Sequence, residues 1–167
     1  MALLSRILVV AALLSVPALA QAKSQIRTPG KFGIGLGSGY ASGISAKYFL
    51  GESTSVQATL GTFGALEGEG NIDGFAVGGD FLFEMPEFFR HPNIELAWSV
   101  GGGVGLALVD TAFDDELSIS VQGVLGFQVH LVPVPIDIVL EFRPELRLVE
   151  DADFDLIDLG AHVRYYF

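Results

Sequence analysis

The side chains of this chain that could do chemistry are carboxylates, arginines, three histidines and a few serines, with no cysteine among them. Thiolate catalysis, a thiolate metal site and a disulfide framework are therefore excluded. The densest acidic groups are Asp114, Asp115 and Glu116 in one short connection and Asp151, Asp153 and Asp155 in another. Carboxylates at alternate positions are hard oxygen ligands, and Asp151-x-Asp153-x-Asp155 has the opening spacing of a calcium loop. Leu156 stands where that loop needs its turn glycine, and His162 where it needs the closing glutamate, so the segment is not an EF-hand. Two readings of these six residues stay open. They form either a solvated acidic rim or a rim that binds divalent cations. No resident metal or other cofactor is expected.

The remaining chemistry is a set of charges that alternate with apolar residues: Lys47, Asp80, Glu84, Glu95, Asp137, Glu141, Arg143, Glu145, Arg147, Asp158 and Arg164. Ser118 and Ser120 share a stretch with His130, which suggests a hydrolase. A serine nucleophile needs its base within hydrogen-bond reach, whereas an extended chain separates Ser120 from His130 by about 33 Å at ~3.3 Å per residue. No catalytic residue is assigned. The glycine runs Gly33-x-Gly35-x-Gly37 and Gly101-Gly102-Gly103-x-Gly105 complete no phosphate-binding motif and lack its lysine. They read instead as small positions that leave room for long side chains crossing from other strands.

These charges are positioned by period-two stretches separated by turn residues. Eight are legible: Lys31 to Gly37, Gly43 to Leu50, Thr54 to Phe63, Gly74 to Glu84, Ile94 to Val109, Leu117 to Leu131, Ile136 to Val149 and Asp155 to Phe167. Pro86 and Pro92 bound the fourth and open the connection to the fifth. The seventh decides the faces. Ile136, Ile138, Leu140, Phe142, Leu146 and Leu148 alternate with Asp137, Glu141, Arg143, Glu145 and Arg147, and a slip of one residue exchanges the two sets. Pro144 removes a ladder hydrogen bond inside this stretch, so a bulge or break is expected there. If the last hairpin turns about Ala152 and Asp153, Arg147 faces Asp158 and Glu141 faces Arg164, each pair opposite in sign.

Composition selects between two barrels. Half of the residues are hydrophobic and only 17% are charged, low for a soluble domain of this size. The apolar set is spread in alternation, as required of strands that face lipid on one side and a polar interior on the other. A soluble barrel or sandwich would need alternating charges over its whole exterior, which the first, third and sixth stretches lack. The expected fold is all-β: an eight-stranded antiparallel up-and-down transmembrane β-barrel with a polar lumen.

The ends agree with that fold. Arg6, the apolar run Ile7 to Leu19 and the small residues through Ala22 have the order of a secretory signal. Residues 1–22 are read as a signal peptide, 23–30 as a periplasmic lead and 31–167 as the barrel. The connections between odd and even strands, about 38–42, 64–73, 110–116 and 150–154, then lie outside the cell and carry acidic residues but no lysine or arginine. With 9 basic against 20 acidic residues overall, nucleic acid is excluded as a partner.

The exported start, the eight stretches, the charged inner face and the final Val163-Arg164-Tyr165-Tyr166-Phe167 together resemble the small outer-membrane barrels of the OmpA transmembrane-domain and OmpX type. The resemblance implies outer-membrane localisation, with lipid and lipopolysaccharide as surroundings. It also implies that barrel-assembly machinery and periplasmic chaperones read Val163, Tyr165 and Phe167 during biogenesis. It does not fix an activity, because similar barrels serve as structural proteins, adhesins and lipid A enzymes. The His-x-Ser motif of lipid A deacylases is missing at His91, His130 and His162. The leading expectation is a non-enzymatic structural or surface-interaction barrel. A narrow cation-preferring channel and, behind it, a lipid A-modifying enzyme are the alternatives.

Overall fold

The structure, a computed structural model, describes residues 30–62, 74–110, 115–148, 154–155 and 158–167; for residues 109, 110, 115, 116, 154 and 155 it describes the backbone alone. The proposed signal segment lies outside the described residues. Within them the chain is all strand: β1 (Phe32–Ser38), β2 (Ser42–Phe49), β3 (Thr54–Thr62), β4 (Gly74–Glu84), β5 (Phe89–His91), β6 (Ile94–Asp110), β7 (Asp115–Leu131), β8 (Ile136–Phe142), β9 (Glu145–Arg147), β10 (Phe154–Asp155) and β11 (Leu159–Tyr166).

These segments close into an eight-stranded antiparallel barrel, because three of the strands are interrupted rather than additional. β4 and β5 both pair with β6, β8 and β9 both pair with β7, and β10 and β11 continue one another. The last strand pairs with the first, Tyr166 opposite Gly33, so no edge is left open. Phe167 N–H donates to the Phe32 carbonyl at 2.9 Å, placing Phe32 and Phe167 at one end, the terminal end. The connections β1–β2, β3–β4, β6–β7 and β9–β10 define the opposite, loop end.

Register fixes the bore. One circuit of paired residues from Ile136 through Tyr165, Ile34, Ala46, Ala58, Gly79, Val104 and Val121 returns at Leu146, ten residues along the same strand. Eight strands with that stagger tilt about 40° and give a backbone radius of about 8 Å. Two facing side chains fill such a bore.

Two boundaries differ from the sequence expectation, and the break expected at Pro144 is present. The connection after Pro86 is not simply a loop: Phe89 pairs with Leu96 and Arg90 with Glu95, so the fourth strand resumes as β5 after a bulge. The seventh strand does break at Pro144, between β8 and β9. The Gly123 amide donates to the Pro144 carbonyl at 2.9 Å, but proline has no N–H to return the second bond of that pair. The eighth strand is also interrupted. Glu145 pairs with Asp155 but Phe142 with Leu159, so one extra residue is accommodated on the β10–β11 side as a bulge.

The same register corrects the last hairpin. Glu141 lies opposite Gly160, not Arg164, and Arg164 lies opposite Asp137. The β8–β11 pairing is thus displaced by four residues, an even number that keeps the side chains of those two strands on their expected faces.

Candidate functional site

The alternation places most of the predicted charges inside. Lys47, Asp80, Glu84, Glu95, Asp137, Glu141, Arg143, Glu145 and Arg164 are all buried. Arg147 and Asp158 are half-buried near the loop end. A buried charge is tolerated only when it is paired and hydrogen-bonded, and the geometry meets that condition.

Arg143 is the hub. Its Nη2 donates to Asp80 Oδ1 at 2.8 Å and to Gln122 Oε1 at 2.6 Å, while Nη1 donates to Glu141 Oε2 at 2.5 Å. Three strands are thereby tied to a guanidinium that sits beside the Pro144 break. Glu141 also meets His162 Nε2 at 3.0 Å and accepts from Gln57 Nε2 at 2.9 Å. Gln57 links this cluster to the next one: its Nε2 donates to Asp80 Oδ2 at 2.9 Å, and its Oε1 accepts from Arg164 Nη2 at 2.8 Å. Arg164 Nε donates to Ser45 Oγ at 2.9 Å, and its Nη1 lies 3.9 Å from Asp137.

A second cluster lies toward the terminal end. Lys47 Nζ is 2.7 Å from Glu84, which also accepts from Ser55 Oγ at 2.5 Å and from Gln128 Nε2 at 2.8 Å. Tyr166 Oη donates to Asp137 at 2.7 Å and its ring packs on Phe49 at 5.7 Å between centroids. Near the two ends the interior acids are met by arginines, the exposed Arg90 on Glu95 at 2.7 Å and the half-buried Arg147 on Glu145 at 3.0 Å.

The glycines make room for these side chains. A Cβ at Gly33 would lie 2.7 Å from the Tyr166 ring, and one at Gly103 would lie 1.9 Å from Asp80 Oδ1. Gln57, Gln122 and Gln128 are buried on the same inner face, and as uncharged residues they were not singled out in the sequence. They prove to be the connectors, since an amide both donates and accepts and can bridge two like charges. Tyr40 was missed altogether, and its only signal is a large aromatic set between Gly39 and Ala41 in a short connection.

Ser120 and His130 are engaged by neighbouring amides. Ser120 Oγ accepts from Gln122 at 3.1 Å, and His130 Nε2 meets Gln128 Oε1 at 3.2 Å. No group of three or more metal-binding side chains occurs among the described residues. Asp114, Asp151 and Asp153 of the acidic rim lie outside the described residues, and for Asp115, Glu116 and Asp155 the backbone alone is described.

The outer surface is the inverse of the interior. Leu36, Val104, Leu140, Leu159, Val163 and Phe167 are each more than half exposed, and similar residues continue around the wall. Val163, Tyr165 and Phe167 of the terminal strand all face outward, with Tyr165 and Phe167 rings 5.1 Å apart. Comparison with protein-family models, curated proteins and solved structures returns no match.

Proposed function

We propose that this chain is an exported outer-membrane β-barrel with a structural or surface-interaction role and a charged interior filled by its own side chains. The observation that carries the reading is the inversion of the barrel: arginine, lysine and carboxylates buried inside, and large aliphatic and aromatic residues exposed outside. In water that exterior would be an apolar patch far beyond the few hundred Å2 that soluble monomers tolerate. In a bilayer it is the lipid-facing belt, and the closed ladder leaves no backbone group unsatisfied at an edge. The resemblance to OmpA- and OmpX-type barrels supports the same conclusion.

The filled bore favours a structural role over a conducting one. At a backbone radius of about 8 Å, Arg143, Glu141, Gln57 and Arg164 form a continuous set of hydrogen bonds across the interior. Lipid, lipopolysaccharide and the assembly machinery are the proposed partners, and the acidic rim is the proposed surface for cation-bridged contact with lipopolysaccharide.

The test is fractionation of cells followed by gel migration with and without heating. Recovery in the outer-membrane fraction with heat-modifiable mobility is expected. A protein that stays in the soluble fraction and migrates identically before and after heating would overturn the proposal. Steady cation-selective conductance in planar bilayers would replace the filled-interior reading with that of a narrow channel.

A further inference from the structure

Connections normally run over a protein's surface, but the one between β1 and β2 does not. Tyr40 is 3% exposed and Ala41 is fully buried. Both pack with Ala76 of β4 and Ala107 of β6. The Tyr40 ring occupies the space above Gly105, where a Cβ would stand 2.5 Å from it. Its hydroxyl faces Ser118 and Ser120 on β7, with Glu145 and Arg147 nearby. Around the barrel, β6 lies four strands from β1 and β7 four strands from β2. In a ring of eight those are the diametrically opposite walls, so the connection carries Tyr40 across the bore, its Cβ beside Gly78 of β4 and its ring against Gly105 of β6.

The sequence is fitted to this path. Alanine at 76 and 107 and glycine at 78 and 105 keep the loop end wide enough to admit the ring. Gly39 lies against Arg143, whose Cδ would be 3.2 Å from a Cβ added there. The inserted connection therefore rests directly on the hub of the charge network. Thr59 lies on the same layer: Gly78 separates its hydroxyl from Tyr40, a Cβ at that glycine being 2.8 Å from Thr59 Oγ1 and 3.8 Å from Tyr40 Cβ.

We propose that the β1–β2 connection is a built-in plug, in which Tyr40 crosses the bore and seals the loop end of the interior charge network against water. The plug works by volume, so phenylalanine serves in place of tyrosine and a small residue does not.

The chain has no cysteine, so one reporter thiol is unambiguous. Thr59→Cys is introduced into the full chain, alone and together with Tyr40→Ala, Tyr40→Leu or Tyr40→Phe. Each folded protein in detergent, checked by heat-modifiable migration, is treated with a charged methanethiosulfonate reagent. Slow labelling is expected with Tyr40 intact and in the Tyr40→Phe background, and labelling at least ten-fold faster with Tyr40→Ala or Tyr40→Leu. Fast labelling of Thr59→Cys with Tyr40 intact overturns the plug without any second substitution. Equal rates in all four backgrounds overturn it as well. Because the comparison is made within one medium, it stands or falls separately from the membrane assignment.

Discussion

Arg143 Nη2 donates to Asp80 Oδ1 at 2.8 Å across the interior, joining a residue beside the Pro144 break to the middle of β4. The same guanidinium holds Glu141 and Gln122, so one side chain neutralises two acids and fixes three strands.

Arg143→Met is therefore expected to leave the Asp80 and Glu141 carboxylates buried without their shared cation. Removing one member of a buried pair typically costs about 3–5 kcal/mol. Urea unfolding of the folded protein should show a loss in that range. Adding Asp80→Asn should recover part of it, and strict additivity of the two substitutions would count against the hub.

Leu140 distinguishes lipid from water outside. It is 60% exposed on the outer wall between Phe127 and Ala161. On a soluble barrel, Leu140→Arg would change stability by about 0.5 kcal/mol or less. On a lipid-facing wall near the bilayer midplane it should cost about 2–4 kcal/mol. Unfolding measured in phospholipid vesicles separates the two outcomes.

Pro144→Thr should restore the second hydrogen bond to Gly123 and join β8 to β9. A net hydrogen bond is worth about 0.5–1.5 kcal/mol, and losing proline's stiffening of the unfolded chain offsets about 0.4–1 kcal/mol. The stability gain should thus be small. The clear readout is amide exchange: a new, slowly exchanging amide at position 144, with rapid exchange there refuting the ladder assignment.

Burial of Tyr40 raises its phenol above the usual tyrosine value, its serine partners only partly opposing that effect. The folded state then holds the proton more tightly than the unfolded state. Stability from this group is complete below the ordinary tyrosine pKa and declines as pH rises through the higher folded value. An alkaline titration followed by tyrosinate absorbance should show a late component, above about pH 10, whose amplitude Tyr40→Phe lowers by one tyrosine's share. An unchanged late component in that variant would place the group elsewhere.

Much of the fold was legible because a barrel this small is governed by parity. Arg143 and Glu145 could face only one way once Phe142 and Leu146 were assigned to the other side. Hairpin register was less legible: the expected pairing of Glu141 with Arg164 misses the observed β8–β11 register by four residues, because alternation fixes the face of a residue and not its partner. The short strand β5 was hidden for a related reason, since Pro86 and Pro92 mark the ends of pairing on one side and do not show that Phe89 to His91 can resume it on the other.

Amino-acid order alone determined which face of each strand carries charge, because period-two alternation leaves no second solution at acceptable cost. It also marked Pro144 as a break, because the missing N–H is a property of the residue. Which charges meet was decided only by closure of the barrel. Gln57 joins Arg164 to Asp80 and Glu141, and Tyr40 reaches Gly105, because the stagger of eight tilted strands brings residues distant in sequence to one height of the bore. No local pattern encodes that height.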